Sequence, residues 1–147
     1  MEPRKPSYNI YKPNRDNRGA AVQFDFNVSK QAIFLEAALQ VAEQSFDWGN
    51  KIVVKLDVVD IGKLLTVLDG KVPQAKLFHD PSKREGYSGN TRNNTVEFSK
   101  GQYGYYLRVS QQSADKAVKT VSLSVSEDEA QVLRVLLERA IASCYGW

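Results

Sequence analysis

From Ile33 to Val41 the chain alternates without a break. Ile33, Leu35, Ala37, Leu39 and Val41 share one face, while Phe34, Glu36, Ala38 and Gln40 share the other. A period of two held over nine positions belongs to an extended strand, whose successive side chains point to opposite faces. A helix competes for Gln31–Glu43 because Ala, Leu and Glu are helix formers; the period favours the strand. The same alternation marks Ser7–Lys12, Gly19–Asn27 and Asn50–Leu56, then Gln74–His79, Thr91–Ser99, Tyr103–Gln111 and Lys116–Val125. Lys100-Gly101 is the turn signal of a hairpin between two of these segments.

Two segments change period. Asp57 can cap a helix running to about Leu68, with Val58, Ile61, Leu64, Leu65 and Leu68 on one stripe and Asp69-Gly70 to stop it. Ser126-Glu127-Asp128-Glu129 is a capping box that places three acids at the positive end of a second helix. Its apolar stripe is Ala130, Leu133, Leu136, Leu137, Ala140 and Ile141. The order ββββαββββα is an α+β chain with helices packed on one side of antiparallel sheets. Residues 1–6 are expected to be a flexible N-terminus and 7–147 a single domain, with a mobile loop over Pro81–Asn90.

Composition narrows the function classes. At 147 residues the chain can bury a sizeable core, and no apolar run approaches the roughly 18 residues of a membrane span. The single Cys144 cannot close an internal disulfide, and one His with one Cys leaves most zinc sites without ligands. No metal and no cofactor is expected. The balance of 20 Lys+Arg against 17 Asp+Glu suits a polyanionic partner without demanding one. No export signal is visible, which suggests a bacterial or phage-like cytoplasm, or an organelle matrix if a leader was removed.

If each strand turns its more apolar face to the helices, the opposite faces carry Phe34 and Gln40, Lys51 and Lys55, Lys76 and Phe78, Tyr106 and Arg108. Aromatic rings beside cations on a sheet suit single-stranded nucleic acid, with bases stacked on rings and phosphates met by cations. The competing reading is an ordinary solvated sheet with a few aromatics buried by a partner subunit. Catalysis finds no foothold. There is no G-x-S-x-G elbow and no glycine-rich phosphate loop. His79 shares parity with Leu77 and Ala75, so it reads as an inward or strand-end histidine held by a hydrogen bond.

The run Phe46-Asp47-Trp48, Lys51 and Val53-Val54-Lys55-Leu56-Asp57-Val58-Val59-Asp60-Ile61-Gly62 resembles the centre of the Whirly proteins. So do Phe78-His79-Asp80-Pro81 with Lys83, the strand Tyr105-Tyr106-Leu107-Arg108-Val109-Ser110, and the closing Tyr145-Gly146-Trp147. The similarity runs from about Tyr8 to Trp147. It implies two four-stranded antiparallel sheets packed like propeller blades with two helices, assembly as a homotetramer through those helices, and non-catalytic binding of single-stranded DNA with little sequence preference, in DNA repair or transcription regulation. A related fold in guide-RNA-binding proteins keeps RNA open as a partner. The plant family's Lys-Gly-Lys-Ala-Ala-Leu motif is interrupted here: Pro13 to Arg18 separate Lys12 from Gly19-Ala20-Ala21-Val22. That departure bears on higher-order assembly more than on binding.

Carried over with the resemblance, Trp48 is expected as a stacking platform or edge anchor, and Lys12, Lys51 and Lys83 as phosphate contacts, with Arg18 standing for the missing lysine. Phe34, Phe78 and Tyr106 are the stacking candidates from strand parity. Arg108 is expected to stack or bind phosphate, and Lys55 and Lys76 to add general attraction. The last helix, through Leu133, Leu136, Leu137, Ala140 and Ile141, is expected to form the core between subunits.

Overall fold

In the computed structural model, which describes residues 6–81, 86–87 and 89–147, the alternating segments pair into two antiparallel sheets. The first sheet contains β1 (Tyr8–Lys12), β2 (Ala20–Asn27), β3 (Ala32–Ala42), the two-residue β4 (Ser45–Phe46) and β5 (Ile52–Leu56). Its order is β1-β2-β3, with β4 and β5 both pairing β3. After α1 (Val58–Leu68) the second sheet runs β6 (Gln74–His79), β7 (Thr91–Lys100), β8 (Gly104–Ser113) and β9 (Val118–Ser126), each paired to the next. The chain closes with α2 (Glu127–Cys144). The α+β order expected from the alternation is therefore present, with β4 and a 3₁₀ turn at Trp48–Asn50 added between β3 and β5. Ser82–Glu85 and Ser88 of the loop expected over Pro81–Asn90, and Met1–Lys5 of the expected flexible N-terminus, lie outside the described residues.

Both helices start with closed capping boxes. The Asp57 carboxylate accepts from the Asp60 N–H at 2.9 Å while Asp60 accepts from the Asp57 N–H at 3.2 Å. Ser126 and Glu129 exchange the equivalent pair at 3.3 and 2.9 Å. Each box satisfies two backbone donors that the helix leaves without partners. α1 packs on β6 and β7, α2 on β8, β9 and β3, and the helices on each other. Ile10, Val22, Leu35, Ile52, Val54 and Leu56 of the first sheet meet Leu77, Val96, Phe98, Leu107 and Val109 of the second in one core with Ile61, Leu64, Leu133 and Leu137.

With the inner faces buried, the outer faces are left to solvent. Among the described residues the ladders shift register at two places, between Gln40 and Ala42 and between Thr91 and Asn93. Both lie at strand ends, so strand parity survives through the middle of each sheet. Among the outward positions the small Ala21, Ala32 and Ala38 are covered, and so is one large polar side chain, Gln40, which is only 6% exposed. Its Oε1 accepts from the Asn14 and Gly19 N–H groups, both at 2.9 Å, and its Nε2 donates to Ala42 O at 3.1 Å. A Cβ at Gly19 would stand 2.1 Å from Lys12 O and 2.7 Å from Gln40 Oε1, so only glycine lets the β1–β2 loop fold down onto this glutamine.

The stripe of α2 divides differently from the expectation. Leu133, Leu137 and Ala140 are 2%, 0% and 4% exposed and pack inside this chain, so they are not available as an interface between subunits. Ile141 is partly buried against the same core. Leu136 remains outside, joined by Val132 and Val135. A helical stripe gives the angle of the apolar face, and two sheets meeting beneath one helix use more of that face than a single sheet would.

Candidate nucleic-acid interface

Three cross-strand rows cross the middle of the outer face of the first sheet. Asp25, Phe34 and Lys55 form one; Gln23, Glu36 and Val53 the next; Tyr11, Ala21 and Ala38 the third. Lys30 reaches back so that Nζ lies 5.9 Å from the Phe34 ring centroid, a cation–π distance. In the middle row Lys51 Nζ is 2.7 Å from Glu36 Oε1, and Gln23 Nε2 donates to Glu36 Oε2 at 2.8 Å. The Lys51 ammonium is thus held by a carboxylate rather than left wholly to a phosphate.

At the far end of this face the small Ala21 and Ala38 leave room for aromatic rings. Tyr11 and Phe46 stand 5.7 Å apart at an interplanar angle of 39°. Together with Pro13, Gln44, Ser45 and Trp48 they line an open groove. Trp48 is half-buried in its 3₁₀ turn and does not join the core, which fits a platform or anchor better than a core indole. Asn50 Nδ2 donates to both oxygens of Asp47, at 3.2 and 3.0 Å, and so braces the turn. Tyr11 could have been found by parity, because Tyr8 and Ile10 bracket the inward side of β1. Phe46 could not, since a two-residue strand has no period.

On the second sheet the outer face is a shallow depression of about 520 Å³. Its central row is Lys76, Glu97, Arg108 and Ser122 across four strands. On one side lies the row Gln74, Ser99, Tyr106 and Ser124, and on the other Phe78, Thr95, Ser110 and Thr120. Phe78 and Tyr106 are 63% and 56% exposed. A Cβ at Gly101 would stand 2.3 Å from Tyr106 Cε2, so this turn position leaves space for the phenol ring to lie over it. Lys76 Nζ and Arg108 Nη1 lie 3.9 and 3.8 Å from the Glu97 carboxylate.

The expected site residues therefore separate. Phe34, Lys51 and Lys55 share the first outer face; Lys76, Phe78, Tyr106 and Arg108 share the second. Lys12 is not brought to either: it has the inward parity of Ile10, and its Nζ sits 2.7 Å from Glu129 Oε1 at the start of α2. Burial alone would raise the Glu129 carboxyl, but the Lys12 ammonium and the Ser126 donors outweigh it and hold that carboxyl below its ordinary value. Arg18 is exposed in the β1–β2 loop, and its backbone N–H donates to Asn14 Oδ1 at 2.9 Å. Lys83 lies outside the described residues.

His79 is partly buried at the end of β6, with Nε2 3.0 Å from Asp60 Oδ2, as its parity predicted. Burial chiefly pushes the Asp60 carboxyl up, against the Asp57 N–H and the imidazole, which pull it down. The pair ties α1 to the second sheet. Cys144 Sγ lies 3.3 Å from Gln31 O. Among the described residues no group of three or more His, Cys, Asp or Glu side chains could hold a metal.

The chain is similar to proteins that share this two-sheet arrangement. It is 28% identical to the chloroplastic single-stranded DNA-binding protein WHY1 of Zea mays, over 96% of this chain and 56% of that protein, so it spans just over half the relative's length. The crystal structure of WHY3 from Arabidopsis thaliana superposes with a TM-score of 0.80 at 22% identity, covering 99% of this chain and 92% of that one. A guide-RNA-binding protein complex bound to a guide RNA matches at a TM-score of 0.70 and 17% identity, over 97% and 93%. Residues 2–136 match the family described as Whirly transcription factor. With that match covering most of its length, the chain belongs to the Whirly family.

Proposed function

We propose that this chain is a non-catalytic binder of single-stranded DNA that uses the outer faces of its two sheets and accepts most sequences, in DNA maintenance or transcription. The observation that carries the reading is the outer face of the second sheet, where two exposed rings, Phe78 and Tyr106, sit beside Lys76 and Arg108. Stacking on such rings is worth about 1–3 kcal/mol per base and tolerates any base. Phe34, Lys51 and Lys55, with the groove of Tyr11, Phe46 and Trp48, extend the surface over the first sheet; Arg18 adds charge in the β1–β2 loop, and Lys83 is kept as a phosphate contact on the family resemblance alone. The maize relative's name supports the same ligand. Of the compartments expected from the sequence, that relative's chloroplast location favours an organelle matrix and lends nothing to a bacterial or phage cytoplasm.

RNA is the second reading, favoured by the fold shared with the guide-RNA complex. Assembly into a homotetramer is assigned to the outer side of α2, through Val132, Val135 and Leu136, which are 46%, 53% and 43% exposed. Fluorescence anisotropy with a labelled mixed-sequence single strand, its duplex and the equivalent RNA, each at low and high salt, tests the reading. Tight single-strand binding that weakens with salt, and weak duplex binding, are expected, because phosphate contacts release counterions. Stronger RNA binding would promote the second reading. No binding at low salt would defeat both.

A further inference from the structure

The acid at the centre of the second outer face is out of place in a surface that only attracts phosphates. Glu97 lies in the same row as Lys76 and Arg108, one strand from each, and a carboxylate there repels the strand that its neighbours attract. Nor do those neighbours lock it. Their 3.9 and 3.8 Å separations exceed hydrogen-bond length, and the Glu97 side chain is 41% exposed.

Around this carboxylate the rings are placed symmetrically. Phe78 pairs with Thr95 and Tyr106 with Ser99, each two residues from Glu97 along β7. Both rings are therefore diagonal neighbours of Glu97 on adjacent strands, about 7–8 Å away between backbones and within reach of aromatic side chains. This placement brings the edge of a base stacked on either ring within reach of the carboxylate oxygens, with Lys76 and Arg108 beside it to take phosphates.

We propose, resting on the single-strand reading above, that Glu97 is a base-reading residue that favours guanine. Guanine alone presents two adjacent donors on its Watson–Crick edge, N1–H and the N2 amine, which match the two acceptor oxygens of a carboxylate. Adenine and cytosine each set a ring-nitrogen acceptor beside their amine, and thymine flanks its single N–H with two carbonyls. In a single strand that edge is open to be read. The preference is superimposed on stacking that accepts every base.

Anisotropy titrations with the alternating 20-mers d(TG)10, d(TI)10 and d(TA)10 at one salt concentration test the assignment; inosine keeps N1–H but lacks the N2 amine. The wild-type protein is expected to bind d(TG)10 about five- to tenfold more tightly than either of the others, the low end of what one bidentate base contact discriminates. Glu97→Gln, which keeps the shape but presents only one acceptor oxygen, is expected to bring the three within about twofold. Glu97→Ala should do the same, and melting curves establish that both variants fold. Equal wild-type binding to all three strands, or a uniform shift of all three in Glu97→Gln, overturns the base-reading role and leaves the single-strand reading intact. Failure of every strand to bind overturns both.

Discussion

Each outer face of this molecule carries a central glutamate beside a lysine, and the two are held differently. Glu36 on the first sheet takes Lys51 at 2.7 Å and Gln23 at 2.8 Å, and its side chain is only 15% exposed. Glu97 on the second lies 3.9 and 3.8 Å from Lys76 and Arg108 and is 41% exposed. A satisfied carboxylate is part of the scaffold: it braces the lysine and offers a ligand little. A carboxylate beyond hydrogen-bond reach keeps its lone pairs for whatever lands on the sheet. Composition alone would score these two acids alike, and the difference arises from register, since Gln23 stands directly opposite Glu36 whereas cations alone flank Glu97.

The largest expected effect comes from removing the rings of the open face. Phe78→Ala combined with Tyr106→Ala should weaken binding of a mixed-sequence single strand by about 30-fold or more, from the loss of two stacked bases at about 1–3 kcal/mol each. Phe34→Ala should weaken it by about fivefold, because one ring is lost on a face whose lysine stays paired. A larger loss from Phe34→Ala than from the double variant would reverse the ranking of the two faces.

Changing the locked acid sharpens the contrast. Glu36→Gln releases Lys51 and should raise affinity about two- to threefold for every strand alike, read by anisotropy, without altering base preference. Among cations, Lys76→Ala should lower the slope of log affinity against log salt by about one unit, the signature of one phosphate contact. Lys12→Met should leave that slope unchanged, because Lys12 lies with Glu129 on the helix side.

Lys12 should appear instead in stability. The Glu129 carboxyl is depressed in the folded chain, so its contribution is fully present above the unfolded value and is lost as pH falls through the folded one. Urea midpoints for wild type and Lys12→Met should therefore differ most near neutral pH and converge in acid. Constant separation down to pH 3 would argue against the pair.

The fold was legible where period and capping coincide. The alternation from Ile33 to Val41 and the two capping boxes identified strands and helices because each pattern has a single geometric cause. β4 escaped because two residues carry no period; it is held by its pairing with the end of β3 and by the contact of Phe46 with Tyr11. The site was legible in part: parity placed Phe34, Lys51, Lys55, Lys76, Phe78, Tyr106 and Arg108 outward, as found. Lys12 came from resemblance; its parity is that of the inward Ile10, and its side chain lies with Glu129 rather than on either outer face. Leu133, Leu137 and Ala140 were assigned to a subunit interface because periodicity reveals an apolar face without revealing what covers it. Gln40 has outward parity and is nonetheless buried, because the Pro13–Arg18 loop folds over it, a tertiary event with no local signal.

Where the strand lies is the central claim, and photocrosslinking measures it most directly. A single strand with 5-bromouridine at successive positions, irradiated on the protein and mapped by peptide mass spectrometry, should couple first to peptides containing Phe78 and Tyr106. Peptides containing Phe34 and Trp48 should follow. Adducts confined to α2, with none on either sheet face, would contradict the account.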